Sequence, residues 1–172
     1  DPSLLECFKK VSYDQFYNEH IYIFSLLSIK YLLKKHNLEV FNIEKISTHG
    51  GSLRYYIKKT SNNKFKISKK VKTQLDHELN FGLNKYSTYI KFKNNVEKSR
   101  KQLIQILSKL KKRNKTIIGY GATAKVNTIL NFCKIKNETL DYFLDTTPNK
   151  TGKFMPGSHL YIQKYIKSSY KL

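Results

Sequence analysis

A chain of 172 residues, 40% hydrophobic with 10 Phe and 13 Tyr, can bury a core, and its 7 Gly and 3 Pro exclude a collagenous or disordered chain. The formal charge of +21 invites a nucleic-acid reading, yet only Arg54, Arg100 and Arg113 are arginines and lysines run from end to end. Lysine is a point charge without the fork that reads phosphates and base edges, and no apolar run approaches the about 20 residues of a membrane span.

In chain order, the opening Asp1-Pro2-Ser3 has neither an initiator Met nor a basic, then apolar, leader, so a fragment of a cytoplasmic protein is expected. Cys7 and Cys133 form no metal or redox motif and read as buried thiols in a reducing compartment. Residues 13–24, YDQFYNEHIYIF, crowd Tyr17, Glu19 and His20 into an aromatic and aliphatic run. A phenol, an acid and an imidazole are costly to bury without partners, and they are the groups that move protons at neutral pH. A surface loop and a proton-transfer site are both open on these letters.

Residues 25–36 space Leu26, Ile29, Leu32 and Leu33 for a helix, with Ser25 or Ser28 to cap it and Asn37 to end it. LEVFNIEKI alternates as a strand, HGGS at 49–52 is a turn, and LRYYIKK is a second, antiparallel strand. Residues 60–72 are polar and basic, as in a loop. A long helical section then covers roughly 73–112, with Gly82 a candidate interruption and Val96, Leu103, Ile106, Leu107 and Leu110 as its apolar stripe.

The last third changes character. TIIGYG reads as a short strand running into glycine, ATAKVNTILNFCKI as a helix and TLDYFLD as a strand, which implies a parallel pair with a right-handed crossover. MPGSHLYI reaches towards a further short strand. GYGATA at 119–124 stands where a phosphate-binding turn should: Gly119 for the tight turn, Tyr120 beside it, Gly121 for close backbone approach, and the amides from Ala122 onward facing an anion. Lys125 adds charge, and Asp145 ends the next strand where a ribose-binding acid is expected. The alternative is that the glycines only let a strand and helix pack closely, and even a ligand-binding turn would accept any pyrophosphate.

Taken together, YDQFYNEH, HGGSLRYYI, GYGATAKVNTILNF and LDTTPNKTGKFMPGSHLYI, in that order and spacing, resemble the sugar C-methyltransferases that act on nucleotide-linked 4-keto deoxysugars. The resemblance covers most of the chain except residues 60–72 and the long helix. It implies an α/β protein in three parts. Residues 1–59 would end a class I methyltransferase (Rossmann-like) domain, 60–115 would be a basic loop and helical connection, and 116–172 would be a truncated Rossmann-like nucleotide-sugar domain. The S-adenosylmethionine loop and a zinc module would both belong to sequence outside this chain.

The family is understood to deprotonate the carbon beside the ketone and to methylate the resulting enolate. By resemblance His20 is the base and Tyr17 and Glu19 are its companions. An imidazole titrates near neutrality, a phenol can donate to an enolate oxygen, and a carboxylate can orient the imidazole or hold a substrate group. The family often has His where Asn18 stands. Gly119, Tyr120, Gly121, Ala122, Lys125 and Asp145 would hold the nucleotide. His49, Arg54 and His159 are weaker substrate-binding candidates, each with a structural alternative: a turn residue for the histidines, an internal ion pair for Arg54. The expected partner is a nucleotide-linked keto-deoxysugar, with no membrane. The rival readings are a nucleotide-binding module without catalysis and a basic nucleic-acid binder, the latter marked by steep salt dependence.

Overall fold

The structure is a computed structural model and describes residues 1–166. Residues 167–172, which the sequence places at the end of the nucleotide-sugar domain, lie outside the described residues. The chain forms two compact units, Asp1–Val96 and Glu97–Leu172.

The amino-terminal unit begins with a helix that the sequence reading does not anticipate, α1 (Leu4–Lys10), which buries Leu5, Cys7 and Phe8 and ends on Val11 in the left-handed region. A 3-10 turn, Tyr13–Gln15, follows. Helix α2 (Leu26–Lys34) starts where Ser25 predicts: the Ser25 and Ser28 hydroxyls each accept the other's backbone N–H at 3.1 and 3.0 Å. The Leu26 and Leu27 amides donate to the two oxygens of Glu78, both at 2.9 Å. A buried carboxylate thus sits at the positive end of the helix.

Strands β1 (Leu38–Ile46) and β2 (Ser52–Lys59) pair antiparallel, Leu38 opposite Lys59 and Ile46 opposite Ser52, with a bulge between Val40 and Asn42. The predicted long helix divides. Helix α3 (Lys69–Phe81) starts earlier than the apolar pattern indicates, because the Ser68 hydroxyl caps the Lys70 amide, and it stops at Gly82 at φ 88°. Helix α4 (Tyr86–Lys112) resumes beyond it. Leu26 and Leu33 of α2, Val40 and Ile43 of β1, Leu53 of β2 and Val71 of α3 form one core. Full burial of each is worth about 1.5–3 kcal/mol. Leu5, Phe8 and Leu83 form a second, with Phe92 stacked on Phe8 at 4.1 Å.

In the carboxy-terminal unit β3 (Ile118–Tyr120), α5 (Ala124–Cys133) and β4 (Tyr142–Asp145) make the expected strand–helix–strand unit with parallel strands. MPGSHLYI does reach a strand, β5 (Ile162–Lys164), which extends the sheet in the order β3-β4-β5 with Phe143 opposite Ile162. Leu130, Cys133, Ile135, Leu140, Phe143 and Leu160 are buried around it, and Leu103 and Leu107 of α4 pack on them. The architecture is α/β. Neither cysteine is in a disulfide and both are buried; burial, with the charge of Asp14, pushes the Cys7 thiol up to about 12. Among the described residues no helix is long and apolar enough to cross a membrane.

Candidate functional site

The stretch from Gln15 to His20 folds into consecutive tight turns. The Gln15 carbonyl accepts the Tyr17 amide at 3.2 Å, and the Tyr17 carbonyl accepts the His20 amide at 2.8 Å. This curl returns the His20 ring onto the chain that precedes it. Nδ1 of His20 lies 3.0 Å from the Gln15 carbonyl, and Nε2 lies 2.9 Å from the Tyr17 hydroxyl. A carbonyl only accepts, so in the neutral ring the proton sits on Nδ1, and the Nε2 lone pair faces the phenol, which donates to it. Burial, then the charges of Glu19 and Asp14, hold the Tyr17 phenol above its usual range, so it stays a donor at neutral pH.

Glu19 is exposed. It does not orient the imidazole, because Nδ1 is taken by a backbone carbonyl. Of the two carboxylate roles left open by the sequence, the one directed at His20 is therefore removed.

The HGG turn is drawn to the same place. His49 lies at φ 55° and sets its ring edge-on to His20, with centroids 5.3 Å apart. Three successive carbonyls of this turn take donors from the first fifteen residues. His49 accepts from Gln15 Nε2 at 3.1 Å, Gly50 from Lys10 Nζ, and Gly51 from the Ser3 amide at 3.1 Å. Gly51 is the residue this docking needs, because a Cβ there would fall 2.9 Å from Cγ of Glu6. The structure thus joins Tyr17, His20 and His49 and adds Gln15, which sequence reasoning missed. Its contributions are a main-chain carbonyl and a side-chain amide, and neither leaves a signature among residue types.

Arg54 is not brought to this group. It pairs with Glu44, its cross-strand neighbour, at 3.0 Å, and Tyr56 donates to the same carboxylate at 2.9 Å. These contacts, the Tyr56 hydroxyl first, raise the guanidinium further above its ordinary value. Arg54 has the internal ion pair that was the alternative to a phosphate.

In the carboxy-terminal unit the two glycines exchange the duties given to them above. The turn angle falls on Gly121, at φ 85° with nothing within 4 Å of where a Cβ would stand. Gly119 is needed for packing: a Cβ there would lie 2.2 Å from the Phe143 ring. Tyr120 is exposed, its ring edge-on to Tyr165 at 5.3 Å. The Thr123 hydroxyl caps α5 by accepting the Val126 amide at 3.3 Å. Ala122 is buried, and its amide donates to Asp145 Oδ2 at 2.7 Å. Asp145 Oδ1 accepts the Thr147 amide at 2.7 Å, and Lys150 lies 3.5 Å from Oδ2.

Asp145 is therefore the latch of the turn, its oxygens occupied by the chain itself rather than presented to a ribose. Burial works against its ionisation, but the Thr147 and Ala122 bonds and the Lys150 charge outweigh this and hold it at about 2. The Ala122 amide, expected to face an anion, is spent on this carboxylate, whereas Ala124 at the helix start is exposed and Lys125 is half-buried.

His159 is not gathered here. It precedes β5, at the edge of the sheet where the strands begin, and its amide donates to Met155 at 3.0 Å. Neighbouring Gly157 presses on Asn131 near the far end of α5. The ten residues of α5, about 15 Å of helix, separate that end from the Gly121 turn.

Comparison with known proteins decides the family. A family model described as "C-methyltransferase C-terminal domain" matches residues 47–169. The chain belongs to this C-methyltransferase family. It is also 30% identical over 159 residues to the C-methyltransferase NovU of Streptomyces niveus, a match that covers 92% of this chain and 38% of that protein. The chain thus spans under half the length of the curated relative it matches. The family match takes in the HGG turn and the glycine turn, whereas Tyr17 and His20 precede it.

A strand that turns through glycine into a helix is the arrangement by which doubly wound α/β folds hold a nucleotide cofactor. The glycines of the amino-terminal unit are Gly50 and Gly51, in an antiparallel hairpin, and Gly82, at a helix end. Among the described residues the amino-terminal unit therefore has no such turn; in this chain that arrangement is the β3–Gly121–α5 turn of the carboxy-terminal unit. Among the described residues no three His, Cys, Asp or Glu side chains group to hold a metal ion.

Proposed function

We propose that this chain is the later part of an S-adenosylmethionine-dependent enzyme that C-methylates a nucleotide-linked 4-keto deoxysugar, through loss of a proton beside the ketone. Membership of the C-methyltransferase family supports the reaction class. The observation that carries the proton chemistry is the Tyr17–His20 hydrogen bond, backed by the Gln15 carbonyl.

In this reading the amino-terminal unit does the acid–base work. The His20 Nε2 lone pair removes the proton from the carbon acid. The Tyr17 hydroxyl, released from that nitrogen, donates to the ketone oxygen as it gains negative charge. His49 walls the imidazole, and Glu19 is left to meet a hydroxyl or amine of the sugar. The carboxy-terminal unit recognises the nucleotide: the helix start at Ala124 and Lys125 meets the diphosphate, with Gly119, Tyr120, Gly121 and Ala122 shaping the turn and Asp145 latching it. A cytoplasmic site of action belongs to the same proposal, since that is where activated sugars and reduced thiols coexist. Arg54 and His159 receive no role.

The test is His20→Asn in the complete enzyme. Turnover of a thymidine diphosphate 4-keto-deoxysugar should fall by about 10²–10⁴-fold, the range of a lost general base. Calorimetric affinity for the same sugar nucleotide should stay within about two-fold, since the base contributes to the transition state and not to ground-state binding. Undiminished turnover would end the proposal.

A further inference from the structure

We infer that Gln15 is a positioning residue for the Tyr17–His20 pair, an inference that rests on the acid–base reading above. Gln15 is 4% exposed although it lies on a single 3-10 turn beside exposed Phe16. Burying a primary amide there is costly unless its groups are used, and of its two groups the NH₂ has a partner. The main-chain carbonyl of Gln15 takes two donors at once, the Tyr17 amide at 3.2 Å and His20 Nδ1 at 3.0 Å. That single oxygen sets both the tautomer of the imidazole and the start of the turn that presents the phenol.

The side chain of the same residue reaches 34 positions along the sequence, where Nε2 donates to the His49 carbonyl at 3.1 Å. Gln15 therefore fixes the carbonyl under His20 relative to the turn that carries the ring packed against His20. Its Oε1 is buried with no hydrogen-bond partner among the described residues. An unsatisfied buried acceptor is costly, so the side chain is held there against that cost.

Lys10 and Ser3 tether the neighbouring carbonyls of the HGG turn, and their bonds go to Gly50 and Gly51 rather than to the Tyr17–His20 pair. They provide the control. If tethering of the turn is all that matters, Lys10 and Gln15 are equivalent. If Gln15 aims the imidazole, they are not.

The experiment uses the complete enzyme with S-adenosylmethionine and a thymidine diphosphate 4-keto-deoxysugar. It compares Gln15→Met, Gln15→Glu, Lys10→Ala and His20→Asn for kcat, KM and thermal midpoint. Methionine keeps the volume without a donor, and glutamate keeps the shape while placing an acceptor against the His49 carbonyl. Both Gln15 variants should lower kcat by about 10- to 100-fold, the cost of displacing a reacting group by an ångström or so, while KM for the sugar nucleotide stays within about two-fold. Lys10→Ala should leave kcat unchanged.

Wild-type kcat in Gln15→Met, alongside an inactive His20→Asn, overturns the role of Gln15 and spares the acid–base reading. An equal loss of kcat in Lys10→Ala, or a loss that only follows a lowered thermal midpoint, overturns it as well. Full activity in His20→Asn removes both ideas together.

Discussion

At the scale of a residue, Asp145 shows how far a side chain's partners can redirect what its position in the sequence implies. An acid at the end of the second strand reads as a ribose ligand, yet the Ala122 and Thr147 amides hold both of its oxygens. Because its folded value of about 2 lies below the ordinary 3.8, ionised Asp145 stabilises the fold above pH 4. That contribution fades as pH falls through the folded value. Asp145→Asn offers only one acceptor to two amides and turns its own NH₂ towards the other. The stability gap between Asp145→Asn and wild type, followed by urea midpoints, should be widest above pH 4 and should close towards pH 2. A constant gap across that range would mean that the carboxylate charge does nothing for the turn.

At the scale of elements, the start of α2 depends on a carboxylate from α3. Glu78 is fully buried and satisfies the Leu26 and Leu27 amides as well as Nε2 of Gln74. Glu78→Ala strands these donors and opens a cavity, and should cost about 2–4 kcal/mol, measured by denaturant unfolding with an unchanged m-value. A loss below about 0.5 kcal/mol, the level of a surface change, would show that water replaces the carboxylate. None of this is legible in the sequence, where Glu78 is one acid in the polar run LDHELN. The β1–β2 hairpin, α2 with its serine cap, and the β3–α5–β4 crossover are legible, because alternation, helical spacing and glycine placement are local signals. α1 is not legible because seven residues carry too little periodicity, and the start of α3 is hidden because its first turn is lysine held by the Ser68 cap. The candidate site divides in the same way. Tyr17 and His20 announce themselves by type, whereas the Gln15 carbonyl that sets the tautomer belongs to the main chain and could belong to any residue.

At the scale of the whole molecule, the charge of +21 acts without any specific contact. Exposed lysines such as Lys64, Lys66, Lys69 and Lys70 surround the chain with a positive potential, which should speed the arrival of a diphosphate and vanish with screening. If the proposed substrate is right, raising salt from about 0.02 to 0.5 M should slow association of the sugar nucleotide by roughly 10-fold, with kcat unmoved. A salt-insensitive on-rate would assign the lysines no part in capture. Finally, the two buried thiols divide between the two compact units, Cys7 in one and Cys133 in the other. Each is shielded from reagents until its own half opens, so a timed pulse of an alkylating mass tag, followed by peptide mapping, would clock the breathing of either half separately, with no label engineered into the protein.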